Sequence, residues 1–112
     1  MIHRFYRDAN GDPRAKTGRD QRLLGRFLET DVQGSKGICE ELLTALGDIA
    51  AGHRKHFKMT GNAHTLILNK RLARIRPEFG SGPDLVLAPA ELRQALQEWK
   101  TLLTNTPQDH PG

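Results

Sequence analysis

Histidines, one cysteine and two adjacent glutamates are the side chains in this 112-residue sequence that could do chemistry. His53 and His56 are three positions apart, a spacing found in some metal-ligand pairs, but a complete site needs three or four converging ligands. The other candidates, His64 and Cys39, lie in separate parts of the chain and belong to no ligand motif. We therefore expect neither a bound metal nor a cofactor.

The cysteine and the glutamates also fail as catalytic groups. A nucleophilic cysteine needs surroundings that lower its pKa. Cys39 instead precedes Glu40 and Glu41, whose negative charges favour the neutral thiol, so we expect a buried structural cysteine. The two glutamates are adjacent, and on a helix their side chains point about 100° apart, which prevents them from forming a carboxylate pair. The sequence predicts a protein that is not an enzyme.

The bulk properties predict one small domain. We place it at residues 1–105, with a flexible tail at 106–112, because 112 residues suit a single hydrophobic core. A single cysteine rules out a disulfide within the chain, which fits a reducing compartment. No apolar run is long enough for a signal peptide or a membrane span. We therefore expect a cytoplasmic protein with no membrane partner.

Two amphipathic helices are predicted. In residues 35–51 the apolar side chains fall on one stripe, with Ser35 placed to cap the start and Gly52 to end the helix. The second helix is predicted over residues 89–103, where proline suits the first position and Trp99 lies on the apolar stripe. We expect the side chain of Trp99 to be buried in the core.

Short strands account for most of the remaining sequence. Asn10–Gly11 predicts a hairpin with a type I′ turn, joining strands at residues 2–8 and 14–17. A β-meander is predicted from alternating residues at 56–60, 63–69 and 72–76. Residues 85–87 are either an edge strand or the approach to the last helix, and 79–83 form a flexible loop.

The stretch from Arg22 to Leu28 is ambiguous. Its leucines and phenylalanine fit helical spacing, but Gly25 weakens a helix, and a third strand would support the N-terminal hairpin. We favour a strand there. The predicted fold is therefore α+β: a mostly antiparallel sheet of about five to six strands, with the two amphipathic helices packed on one face.

Charge is distributed unevenly along the chain. The net charge is +4, yet residues 53–77 contain seven Lys or Arg and no Asp or Glu, while residues 27–52 contain five acids against one lysine. Such polarity suits binding to another macromolecule. We predict that residues of the acidic segment and of the meander contact the partner: Glu29, Asp31, Glu40, Glu41, Asp48, Arg74 and Arg76.

Several segments resemble the YacL-type proteins, a small bacterial family of unassigned role. The resemblance covers nearly the whole chain and rests on the order and spacing of its segments, although this chain is basic where the family is acidic. The matching segments are Phe5–Tyr6–Arg7–Asp8, Asn10–Gly11, Leu24–Gly25–Arg26–Phe27, residues 29–52, residues 59–66, Arg76–Pro77–Glu78–Phe79 and residues 91–103.

The Thr60–Gly61–Asn62 turn, its strands and the closing helix with Trp99 also resemble immunity proteins of contact-dependent growth inhibition systems. That resemblance implies a cytoplasmic, non-enzymatic protein that binds a cognate toxin domain, commonly a nuclease, and occludes its active site. The alternatives are a nucleic-acid-binding accessory protein that uses the basic meander, and a YacL-type protein of another role.

Overall fold

The computed structural model describes residues 3–79 and 82–105 of the chain. Ile2, residues 80 and 81 of the predicted loop, and the predicted tail at 106–112 lie outside the described residues. A 3₁₀ turn (Arg19–Gln21) and a single π-helical turn (Leu28–Val32) flank the first helix. Within the described ranges, the strands and α-helices are, in chain order, β1 (His3–Arg7), β2 (Pro13–Thr17), α1 (Arg22–Phe27), α2 (Lys36–Ala50), β3 (His56–Thr60), β4 (His64–Asn69), β5 (Ala73–Pro77), β6 (Leu85–Leu87) and α3 (Pro89–Thr104).

The strands form an N-terminal hairpin and a four-stranded antiparallel meander. β1 pairs with β2 in a separate two-stranded sheet, and the second sheet has the order β3-β4-β5-β6. The predicted α+β class is confirmed, and residues 85–87 prove to be an edge strand. The α1 helix contacts β2 and β5, α2 packs along α3, and α3 contacts β1, so the helices tie the two sheets together.

Side chains of the meander alternate between the core and a second face, as the period of two requires. Leu66 pairs with Met59 on one side and with Ile75 on the other, and all three belong to the core or pack against it. The alternate positions form the surface that we call the open face: His56, Lys58, Thr60, Thr65, Ile67, Asn69, Arg74, Arg76 and Val86.

The two predicted amphipathic helices are confirmed, together with their end signals. The Ser35 hydroxyl accepts a hydrogen bond from the Ile38 amide at 3.1 Å, which caps α2. The Glu91 carboxylate accepts the amide of Ala88 at 3.0 Å at the start of α3. Gly52 has φ of +83°, the left-handed conformation that ends a helix at low cost.

The prediction of a strand at residues 22–28 is wrong, because this stretch forms α1 and enters the π-helical turn. Leu24, Phe27 and Leu28 follow helical spacing and are all fully buried, so the apolar stripe outweighs the low helix propensity of glycine. Gly25 faces β2: a Cβ there would lie 3.1 Å from Cγ2 of Thr17. The glycine therefore permits close packing of the helix on the hairpin.

The hairpin is confirmed, but its predicted type I′ turn is wrong. Such a turn needs a positive φ at both central residues, whereas Gly11 has φ of +84° and Asn10 does not share that conformation. The Asp8 carboxylate instead accepts the amides of Asn10 and Asp12 at 2.9 and 3.0 Å. These two hydrogen bonds to the Asp8 side chain stabilise a longer loop than the two-residue turn that Asn–Gly predicts.

Trp99 lies in the core, as its place on the apolar stripe predicts. It is fully buried, and its ring meets Phe5 edge to face with centroids 5.2 Å apart. The indole Nε1–H donates a hydrogen bond to the carbonyl of Gln33 at 2.8 Å. One residue therefore connects α3 with the hairpin and with the end of the π-helical turn.

Replacing Gly25 with leucine should lower the free energy of unfolding by about 1–3 kcal/mol, because the new side chain would overpack the contact between α1 and β2. Urea denaturation measures this change. The control is Gly37→Leu in α2, where an added Cβ would meet the Ser35 hydroxyl at an ordinary 3.7 Å, and no loss is expected. Equal destabilisation by the two substitutions would contradict close packing at Gly25.

Candidate functional site

The open face carries a continuous row of basic and apolar side chains. Lys58, Ile67, Arg74 and Val86 are cross-strand neighbours in that order, so the row spans all four strands of the meander. Val86 is 49% exposed, which is high for a large apolar residue, and Lys58 is also exposed. The row therefore alternates basic and apolar side chains, and its exposed apolar residue lies on the edge strand.

An acidic residue at the start of β6 partly neutralises this face. Asp84 accepts hydrogen bonds from Arg74 at 3.2 Å and from Arg76 at 3.3 Å. These ion pairs are partly exposed and contribute little to stability, but they hold both guanidinium groups in place. The predicted contact residues Arg74 and Arg76 thus lie together on the open face. The carboxylate of Glu78 also reaches this face, where it accepts a hydrogen bond from Thr65, so the positive charge is only partly compensated.

The predicted acidic contact residues do not form one surface. Glu40 and Glu41 are exposed on α2, with Glu40 3.2 Å from Lys100, and Asp48 lies two turns beyond Glu41 and is half-buried. Glu29 belongs to the π-helical turn and is half-buried, where it accepts the Ala15 amide at 2.7 Å.

Asp31 is the acidic residue that the structure removes from any contact surface, because it is only 5% exposed. Its Oδ1 accepts the amide of Ala63 at 2.8 Å, and its Oδ2 lies 2.9 Å from Nδ1 of His64. A Cβ on Gly61 would lie only 2.9 Å from Cγ of Asp31, so glycine is required there. The carboxylate joins the π-helical turn to the turn between β3 and β4.

Cys39 is buried, as expected, and the main cause of its raised pKa differs from the predicted one. Burial raises its pKa to about 11, and Glu40 adds to that rise, while the positive charge of Lys100 opposes it. The thiol donates a hydrogen bond to the carbonyl of Leu96 at 3.2 Å. The cysteine therefore contributes to packing between α2 and α3.

Residues 3–79 and 82–105 contain no group of three or more His, Cys, Asp or Glu side chains arranged to hold a metal ion. The same residues form no helix with the length and apolarity needed to cross a bilayer.

Sequence reasoning overlooked two features of the N-terminal half. The outward side of the hairpin carries Arg4, Tyr6, Arg14 and Lys16, with the Arg4 guanidinium 5.8 Å from the centre of the Tyr6 ring. The strand prediction for 22–28 also concealed a set of arginines around α1. The basic side of the hairpin could have been predicted from the strict alternation of side chains in β1 and β2. The arginines of α1 could have been predicted from the four-residue spacing of Arg22 and Arg26.

The fold defines a small α+β protein with a basic open sheet face. The sequence model described as "Uncharacterised protein family (UPF0231)" matches residues 1–81, so the chain belongs to that family. A UPF0231 protein from Shewanella amazonensis is 25% identical over 123 residues, covering 95% of this chain and 99% of the relative. The YacL-type resemblance is thereby confirmed. Neither description mentions immunity, and no solved structure matches the chain.

Replacing Asp31 with alanine should lower the free energy of unfolding by about 3 kcal/mol, because the Ala63 amide and the His64 ring would lose a buried partner. Urea denaturation provides the measurement, and Glu41→Ala is the control, with a change below about 0.5 kcal/mol. A similarly small effect at Asp31 would show that the buried carboxylate does not hold these turns together.

Alkylation of Cys39 by iodoacetamide should be slow in the folded protein and fast in urea. A rise in pKa from 9.0 to about 11 makes the thiolate about a hundredfold rarer below pH 9, and burial further limits access. Mass spectrometry of timed samples measures both rates. Equal rates in the folded and unfolded protein would contradict the burial of this thiol.

Proposed function

We propose that the protein acts by binding a second protein through the open face, without chemistry of its own. The observation that carries this proposal is the row of Lys58, Ile67, Arg74 and Val86, which combines exposed apolar surface with positive charge across four paired strands. Protein interfaces commonly combine an apolar centre with a polar rim. The positive charge favours a partner with an acidic surface.

The composition of the open face favours protein over nucleic acid. Sheets that read single-stranded nucleic acid usually present aromatic rings on which bases stack. None of the described side chains on the open face is a Phe, Tyr or Trp, and the nearby Phe57 points into the core. Arg54 lies over the ring of that phenylalanine at 4.8 Å, which further occupies the aromatic surface.

The specific form of this proposal is an immunity protein that neutralises a cognate toxin domain in the cytoplasm. Arg74 and Arg76, held by Asp84, would meet acidic groups around the active site of the toxin, which many nucleases need to bind metal ions. Occlusion of those groups would block the toxin, and complementary charge would speed association. Glu40 and Glu41 are exposed on α2 and are a secondary contact in this proposal.

A second candidate is nucleic-acid binding, and it is favoured by the hairpin rather than by the predicted meander. Arg4, Arg14 and Lys16 surround the exposed ring of Tyr6 on the outward side of β1 and β2. Positive side chains beside an exposed aromatic ring suit a phosphate backbone with a stacked base.

Reversing charge on the open face should abolish protection against the toxin. The proposal requires a toxin gene immediately upstream of this gene. The test expresses the toxin domain of that gene together with the protein in natural or variant form, and it measures cell survival and the affinity of the purified pair. Lys58→Glu with Arg76→Glu should weaken binding about a hundredfold, because two attractive contacts become repulsive. The matched control is Arg71→Glu with Arg93→Glu, two exposed arginines outside the open face and α2, which should protect fully.

Two outcomes would contradict the proposal at different levels. Full protection by the open-face variant would show that another surface makes the contact. Absence of rescue by the natural protein would reject the immunity role. A gel shift with RNA or DNA at about 0.15 M salt, lost in Arg14→Glu with Lys16→Glu but kept in the open-face variant, would establish the second candidate instead.

A further inference from the structure

A cleft of about 610 Å³ lies between the α1 region and the adjoining end of the meander. None of the four residues of the row on the open face lines the cleft, although Asp84, which binds Arg74 of that row, does. The volume of the cleft suits a small organic ligand. The lining side chains of chemical interest are Arg19, Arg22, Arg26, Thr30, His64 and Phe79.

His64 lies at the wall of this cleft, and the residue is only 4% exposed. Asp31 holds its Nδ1 at 2.9 Å, which fixes the orientation of the ring, and the edge of Phe27 packs against it with centroids 6.1 Å apart. Its other nitrogen, Nε2, forms no hydrogen bond with any residue in the described ranges. Nε2 is therefore the free hydrogen-bonding atom of a ring whose orientation is fixed, and a ligand in the cleft can use it.

Positive charge gathers on one wall of the cleft. Arg22 and Arg26 are one turn apart on α1, and Arg19 precedes them in the 3₁₀ turn. None of the three forms an ion pair within the residues that the structure describes. Two carboxylates also line the cleft, Asp20 and Asp84, and Asp84 is occupied by Arg74 and Arg76. The balance favours an anion, and guanidinium groups bind phosphate with well-defined geometry.

An exposed aromatic ring lies at the cleft. Phe79 is 78% exposed, the most exposed large apolar side chain among the described residues. Its face can stack on a planar heterocycle. Leu23 and Leu85 add apolar surface to the same lining.

We propose that this cleft binds a nucleoside monophosphate. The arginines contact the phosphate, and Phe79 stacks on the base. Nε2 of His64 accepts a hydrogen bond from a sugar hydroxyl, because Nδ1 donates to Asp31. Asp31 is a positioning residue that orients His64. This site does not depend on the partner of the open face, so either proposal can fail alone.

The test is an NMR titration of the ¹⁵N-labelled natural protein with 5′-AMP, GMP, CMP and UMP in turn. Saturable shifts are expected at the amides of Thr30, Ala63 and His64 for at least one nucleotide. Inorganic phosphate and the free nucleoside should each bind at least about tenfold more weakly, because each lacks one half of the interactions.

Variants assign the parts of the site. Arg22→Gln and Arg26→Gln should each weaken nucleotide binding about tenfold. Phe79→Ala should weaken nucleotide binding while leaving the affinity for inorganic phosphate unchanged. Arg71→Gln, an exposed arginine in the turn between β4 and β5, is the matched control and should bind normally. The arginine and phenylalanine variants change exposed side chains, so their folding should be preserved.

His64→Gln tests the contribution of Nε2 to binding. The NMR spectrum of this variant first shows whether the protein still folds. A folded variant with reduced affinity is expected, and an unfolded variant leaves the arginine and phenylalanine results to decide. The proposal is overturned if no nucleotide produces saturable shifts at these amides. It is equally overturned if Arg71→Gln weakens binding as much as Arg22→Gln does, because binding would then reflect net charge alone.

Discussion

The buried carboxylate of Asp31 is the constraint on which the arrangement of the molecule depends. A charge-bearing group in the interior must have its hydrogen bonds satisfied, and here the Ala63 amide and the His64 ring do so. The same contact fixes the π-helical turn against the turn between β3 and β4, and it leaves no room for a side chain at Gly61. Packing of α1 against the meander, and hence the cleft beside it, follows from this connection.

Charges in this protein fall into groups with different physical roles. Asp31 and Glu29 hold backbone amides, and Asp84 fixes two arginines, so these acids serve the fold first. The remaining positive charge is exposed, on the open face, along the hairpin and around α1. A chain with a net charge of only +4 thereby presents several basic surfaces, which explains why total charge alone says little about the partner.

The proposed roles use separate parts of one small domain. The open face offers area and apolar contact, which a protein partner needs, while the cleft offers depth, an oriented histidine and an aromatic ring, which a small ligand needs. The two parts adjoin at Asp84, which lines the cleft and holds Arg74 and Arg76 on the open face. Membership of the UPF0231 family assigns neither role.

Local patterns in the sequence determined α2, α3, the hairpin and the alternation of side chains in the meander. Helix caps, apolar stripes along a helix and the two-residue period of a strand all depend on residues that are close together in the chain. The placement of the proposed contact residues was only partly predictable: strand alternation put Arg74 and Arg76 on the open face, whereas Asp31, expected at the surface, is buried. Tertiary structure alone decided that Asp31 is buried, that Gly25 lies in a helix against Thr17, and that His64 lines the same cleft as the arginines of α1. Each of these three features depends on contacts between segments that are distant in the sequence. Burial and close packing between such segments cannot be predicted from local sequence patterns.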